Sequence, residues 1–192
     1  MNPTTMNNPT PLPLYPSTPL IGLTGGIGSG KSYIAAQMAK TGYRVYDTDK
    51  EAKRLIVTDT ELRAQMVALL GSDIYEGDTY RTDLVAARVF ADPALLQQLN
   101  QLVHPFVERD IKNTLPLYPF TPLLLESALL IESGLYRLCD RVIVVTAPEE
   151  VRIARTMARD HCSEEQVRSR MAAQMPEKER LSYADFVINN NN

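Results

Sequence analysis

Tryptophan is absent, histidine and cysteine occur twice each, and no charged side chain precedes Lys31. Each scarcity excludes something. Two cysteines, Cys139 and Cys162, cannot build a disulfide framework and lack metal-ligand spacing, so ordinary thiols in a reducing cytoplasm are expected. No apolar run approaches the ~20 residues that a membrane-spanning helix needs, and no membrane partner is expected. A net charge of −3 excludes a generally basic, polyanion-coating surface, so no nucleic-acid partner is expected and phosphate recognition must be local. The first nineteen residues hold six of the thirteen prolines, without the basic start or continuous apolar stretch of a secretory signal. Residues 1–19 are therefore expected to be a disordered leader, with Met6 an alternative start.

What remains reads as an α/β domain. The 192 residues, 44% hydrophobic and 22% charged, fit one compact unit with an inserted subdomain. Residues 20–24 (LIGLT) form a short apolar run that ends at a glycine cluster, as a buried strand does. Residues 31–40 place Ile34, Ala35, Met38 and Ala39 on one helical face, Gly42 closes that helix, and residues 43–46 form a second strand ending at Asp47. Strand, helix and strand imply parallel pairing with a right-handed crossover. From about 50 to 115 the pattern is helical, with Leu95, Leu96, Leu99, Leu102, Val103 and Phe106 at spacings of three and four. Residues 71–77 interrupt it as a loop. Strand character returns at 122–125, 141–145 and 186–188, so the helical block is an inserted or covering subdomain.

Residues 25–32 (GGIGSGKS) fit G-x-x-x-x-G-K-[ST] without a mismatch, directly after a strand and opening a helix. Four of the nine glycines fall within six residues here. Such glycines bring successive N–H groups against phosphate oxygens, and the helix N-terminus adds partial positive charge. Gly26, Ile27, Gly28, Ser29, Gly30, Lys31, Ser32 and Tyr33 are the expected nucleotide-binding residues. Lys31 is expected on the β- and γ-phosphates and the Ser32 hydroxyl on a magnesium ion. A phosphate loop names a nucleotide binder and not a reaction. GTPases also need an N-K-x-D segment, which does not occur, so phosphoryl transfer to a small acceptor leads.

Several further segments bring a family into view. LTGGIGSGKS at 23–32, Asp47-Thr48-Asp49, His104-Pro105, ALLIE at 128–132, RTMARD at 155–160 and ADFVINN at 184–190 occur in the order found in dephospho-CoA kinases, which the chain resembles from about 20 to 190. The resemblance implies a three-layer P-loop fold like that of nucleoside monophosphate kinases: five parallel strands, a helical acceptor-binding subdomain and a lid at about 152–175. It implies ATP-dependent phosphorylation of the ribose 3′-hydroxyl of dephospho-coenzyme A, with Mg2+. The alternatives are another small-molecule kinase of this fold, or a nucleotide-binding regulator whose catalysis has lapsed. The chain departs from the family at Tyr33 (usually threonine), Ala128 (usually proline), Thr82 (usually arginine) and Arg152 (commonly glutamine). It also ends at Asn192, where the family continues into another helix.

Asp47 and Asp49 follow the second strand, at the edge where open α/β sheets bind ligands, and as positions i and i+2 of an extended segment they would face one way. In the family the second aspartate polarises or deprotonates the acceptor hydroxyl, which assigns that role to Asp49. Helix N-capping is the competing role for each. Glu126 ends the 123–125 run and is expected to hold magnesium through water, or merely to cap the next turn. Glu132 and His104 match acceptor-side positions of the family; a structural hydrogen bond is the alternative for His104. Arg152, Arg155 and Arg159 share one helical face. With the family context, Arg155 and Arg159 are expected to neutralise the transferring phosphoryl group, Arg152 and Arg170 less so. Ser163 with Gln166 forms a capping box beyond the lid's turn.

Overall fold

The computed structural model describes residues 18–191. The expected leader lies outside them except for its last two residues, and those are engaged. The Thr18 hydroxyl donates to the Tyr118 carbonyl, and the Leu123 N–H donates to the Pro19 carbonyl.

Strand β1 (Leu20–Thr24) runs into the phosphate loop, and α1 (Lys31–Lys40) returns the chain to β2 (Arg44–Asp47). The helical block follows as α2 (Thr48–Thr58), α3 (Thr60–Leu70), a hairpin of β3 (Tyr75–Glu76) and β4 (Thr79–Tyr80), α4 (Thr82–Ala91) and the 22-residue α5 (Pro93–Thr114). Then come β5 (Leu123–Glu126), β6 (Arg141–Thr146), α6 (Glu149–Asp160), α7 (Glu164–Ala172), α8 (Glu177–Leu181) and β7 (Phe186–Asn189). The five long strands are all parallel, in the order β2-β5-β1-β6-β7. Residues 71–77, expected as a plain loop, instead hold a 3-10 turn and the first hairpin strand. The signal was Gly77-Asp78 between two tyrosine-bearing pairs, too short to show a period.

Hydrophobic layers on the two faces explain the order. Leu23, Leu124, Ile143 and Val145 pack against Ala35 of α1 on one face. On the other, Leu20, Leu123 and Leu125 meet a larger cluster reaching Met66, Val107 and Ile111 of the helical block. Strand β5 is covered from both sides and is buried throughout, as a central parallel strand must be. The leucines spaced three and four apart are only partly core. Leu95, Leu99 and Leu102 pack at the core's margin, while Leu96 is exposed.

Parallel register places the strands' carboxyl ends together. Asp47 on β2 lies opposite Glu126 on β5, which also neighbours Leu23 of β1. Removing side-chain volume from the middle of this sheet should be costly. Leu124→Ala, at a fully buried position, is expected to lose about 3 kcal/mol of stability by urea denaturation, the scale of leucine truncation in a rigid core.

Candidate active site

The loop between β1 and α1 is held by its carbonyls. The Gly25 carbonyl accepts from Lys31 Nζ at 3.0 Å, Ile27 from Arg152 Nε at 3.0 Å, Gly28 from Arg155 Nη1 at 3.5 Å, and Ser29 from Asn190 Nδ2 at 2.9 Å. With these carbonyls satisfied by side chains, the orphan N–H groups at the start of α1 are left for an anion. Gly30 precedes that helix at φ +90°, and a Cβ there would collide with the Asn190 amide. Gly28, at φ +75°, lies flush against the Arg152 backbone carbonyl. Both positions require glycine on two counts, left-handed backbone and close approach.

A cleft of about 460 Å³ opens over this loop, bordered by Lys31, Ser32, Asp47, Asp49, Glu126, Arg155 and Arg159. Ile27, Gly28, Gly30 and Tyr33 also border it. Gly26 and Ser29 do not, and serve the loop's own turn through Ser29 N–H to Gly26 O at 3.1 Å. Burial pushes the Lys31 ammonium below the usual lysine range, opposed by the nearby Glu126 carboxylate. The Ser32 hydroxyl donates to Glu126 Oε1 at 2.6 Å. Burial raises the Glu126 carboxyl above the usual glutamate range; Ser32 opposes this and Asp47 adds to it.

This oxygen set fits a hard divalent cation. Glu126 is a buried carboxylate whose hydrogen-bond donor is itself a potential ligand, with a second carboxylate one strand away. Among the described residues no group of three or more Asp, Glu, His or Cys gathers to cage a metal. A cation here would take most of its ligands from phosphate and water, as magnesium does.

The two aspartates play different parts. Asp47 caps α2, its Oδ1 accepting from the Asp49 and Lys50 N–H groups at 3.0 Å each. The expected extended geometry is corrected: the helix already begins at Thr48, so Asp49 sits in its first turn. That leaves the cap to Asp47 and the Asp49 carboxylate at the cleft. A second cleft of about 380 Å³, lined largely by apolar side chains, lies between α2 and α5. Asp49 and buried Ser127 border both clefts. His104 borders the second, and burial lowers its pKa, favouring neutral imidazole.

The arginine face divides. Arg155 and Arg159 border the phosphate cleft, whereas Arg152 is buried beneath the loop and pairs with Glu177 at 2.5 Å. Its guanidinium is a structural cation, not a third group facing the cleft. Arg159 forms a two-pronged bond to Asp160 at 2.7 and 3.0 Å, and Arg170 joins the same carboxylate at 2.9 Å. The expected capping box at Ser163 and Gln166 is present. Glu132 borders neither cleft and faces Arg180 at 3.7 Å. Sequence reasoning missed Gln174, whose Oε1 accepts from the Ile27 N–H at 2.9 Å, and the Asn190 amide. Neither belongs to a local pattern; their partners lie 147 and 161 residues away.

Ile27, at the loop's crest, is thus gripped from both flanks of the α6–α7 pair: its carbonyl by Arg152, its N–H by Gln174. Arg152→Ala should lose about 2 kcal/mol of stability in urea, since it strands the Ile27 carbonyl and unpairs Glu177. Arg152→Gln keeps an N–H donor and should recover at least half of that loss. Glu126 supplies a pH signature. Its folded-state pKa is raised, so ionising it costs stability, and the native state weakens as pH rises from the ordinary glutamate range toward neutrality. Without divalent cation, Glu126→Gln is expected to melt higher than wild type at pH 7 and to show a shallower fall in melting temperature from pH 4.

Comparison with known proteins identifies the family. The family model described as dephospho-CoA kinase matches residues 19–192. A dephospho-CoA kinase of Porphyromonas gingivalis is 42% identical over 158 residues, covering 82% of this chain and 78% of its own. A Thermus thermophilus crystal structure superposes with TM-score 0.78 at 36% identity, covering 91% of this chain and 89% of its own. The dephospho-CoA kinase of Campylobacter jejuni superposes with TM-score 0.66 at 25% identity, covering 90% and 88%. A phosphate loop fed by both flanks of a helical pair, and a carboxylate shared by two clefts, occur here in a chain that belongs to the dephospho-CoA kinase family.

Proposed function

We propose that this chain transfers the γ-phosphoryl group of ATP to the ribose 3′-hydroxyl of dephospho-coenzyme A, releasing coenzyme A and ADP. The observation that carries the mechanism is the position of Asp49 on the shared border of the phosphate cleft and the apolar cleft. The loop N–H groups and Lys31 hold the β- and γ-phosphates in the first. The acceptor fills the second, with neutral His104 as a hydrogen-bonding contact. Asp49 takes the proton of the 3′-hydroxyl as its oxygen bonds to the γ-phosphorus. The bond from that phosphorus to the β–γ bridging oxygen breaks, and ADP leaves with the electron pair.

Arg155 and Arg159 neutralise charge on the transferring group. For Arg159 this requires release from Asp160, which gives the α6–α7 pair, the lid, a reason to move when nucleotide arrives. Ser32 and Glu126 would hold Mg2+, which supplies charge neutralisation at the β- and γ-oxygens when bound. Glu132 faces Arg180 and borders neither cleft, so we assign it no contact with the acceptor. No described helix is long and apolar enough to cross a membrane, and we place the enzyme in the cytoplasm, where its metabolite substrates are made.

Asp49→Asn tests the mechanism. The change keeps shape and removes the proton acceptor, so kcat with dephospho-coenzyme A should fall roughly 10²–10⁴-fold while ATP affinity holds. Melting temperature should barely move, because the helix cap is Asp47. A kcat near wild type removes Asp49 from the chemistry. A parallel loss of ATP affinity instead makes it an organiser of the cation.

A further inference from the structure

The acceptor of this reaction carries more than a hydroxyl. Its ribose bears a 5′-diphosphate, a doubly ionised group that the second cleft must accommodate. Half of the residues that line the cleft are aliphatic, and Asp49 is its sole carboxylate among the described residues. Facing it one helical turn along α2 is Lys53, which also borders the cleft.

Lys53 stands out by its lack of a counter-ion. Residues 48–114 contain eight lysines and arginines. Six of them, Arg54, Arg63, Arg81, Arg88, Arg109 and Lys112, make ion pairs with carboxylates. Lys50 and Lys53 make none among the described residues, and of these two only Lys53 reaches the cleft. Resting on the proposed reaction, we propose that Lys53 recognises the 5′-diphosphate of the acceptor and so selects for it. Positions i and i+4 of a helix lie about 6 Å apart, comparable to the span between the 3′- and 5′-oxygens of one ribose. A ribose whose 3′-hydroxyl meets Asp49 therefore presents its 5′-phosphates to Lys53. The ammonium is a compact charge on a flexible stem, suited to a diphosphate at an open cleft. Its function is binding and specificity; bond making stays with Asp49.

The test compares two acceptors, dephospho-coenzyme A and adenosine, which share the ribose 3′-hydroxyl, adenosine lacking both the 5′-diphosphate and the pantetheine arm attached to it. With wild type, Lys53→Met and Lys53→Arg, kcat and KM are measured for dephospho-coenzyme A, and adenosine is scored as a substrate and as a competitive inhibitor. Lys53→Met should raise KM for dephospho-coenzyme A about tenfold, with kcat, KM for ATP and melting temperature unchanged. Its affinity for adenosine should stay within about twofold of wild type, and Lys53→Arg should restore most of the loss. An unchanged KM for dephospho-coenzyme A, or an equal loss with adenosine, overturns the role of Lys53 and leaves the proposed reaction standing. A wild-type protein that turns over no dephospho-coenzyme A overturns the reaction, and with it this role.

Discussion

Four backbone carbonyls of the phosphate loop must find hydrogen-bond donors if this crowded turn is to leave N–H groups free for an anion. Lys31, Arg152, Arg155 and Asn190 supply those donors from α1, α6 and the end of β7. A peptide unit left without partners in this crowded turn would cost as much as a lost hydrogen bond. The sheet order follows usefully from this need. β6 and β7 lie on the side of β1 from which α6 and Asn190 reach the loop, while β5 and β2 lie on the other and bring Glu126 and Asp47.

The same contacts couple loop and lid. Ile27 is held by Arg152 where α6 begins and by Gln174 just beyond α7, so the two ends of the helical pair share one residue of the loop. Arg152 stands where the family commonly has glutamine, and a neutral amide could make the same bond to the Ile27 carbonyl. The arginine brings a charge that must be balanced under the loop. Glu177 balances it, and the Thr146 hydroxyl donates to the same carboxylate. Arg180, almost fully buried, adds a further cation, its pKa lowered by burial and its charge facing Glu132. Burial lowers the Lys31 pKa, and the charge of Arg180 adds a smaller contribution in the same direction.

Division of labour between Asp47 and Asp49 depends on one residue of helix. By starting at Thr48, α2 turns Asp47 into its cap and sets Asp49 on the wall shared by two clefts. A carboxylate at that wall can meet an acceptor on one side and a phosphate on the other. His104, its pKa lowered by burial, and Lys53, without an ion pair among the described residues, line the second cleft together with polar Asn100, Ser127 and Ser133 and several aliphatic side chains.

Local chemistry determined the parts that a few consecutive residues can encode. The phosphate loop, its flanking strand and helix, the capping box at Ser163 and the three later strands were legible because glycine tolerance, capping and apolar runs act over short distances. Arg155, Arg159, Ser32 and Glu126 border the cleft. Tertiary structure decided the rest. Whether an arginine of one helical face borders the cleft or is buried under the loop, as with Arg155 and Arg152, depends on how α6 lies against the loop, which no spacing within α6 records. Glu132 looked like an acceptor contact until α8 placed a buried arginine against it. Gln174 and Asn190 are polar residues without a pattern until folding brings each to an amide or carbonyl more than a hundred residues away. Sequence specifies which groups can donate, accept or carry charge; only the packed chain fixes which partner is within 3 Å, because hydrogen bonds and ion pairs are short-ranged and their partners here are remote in sequence.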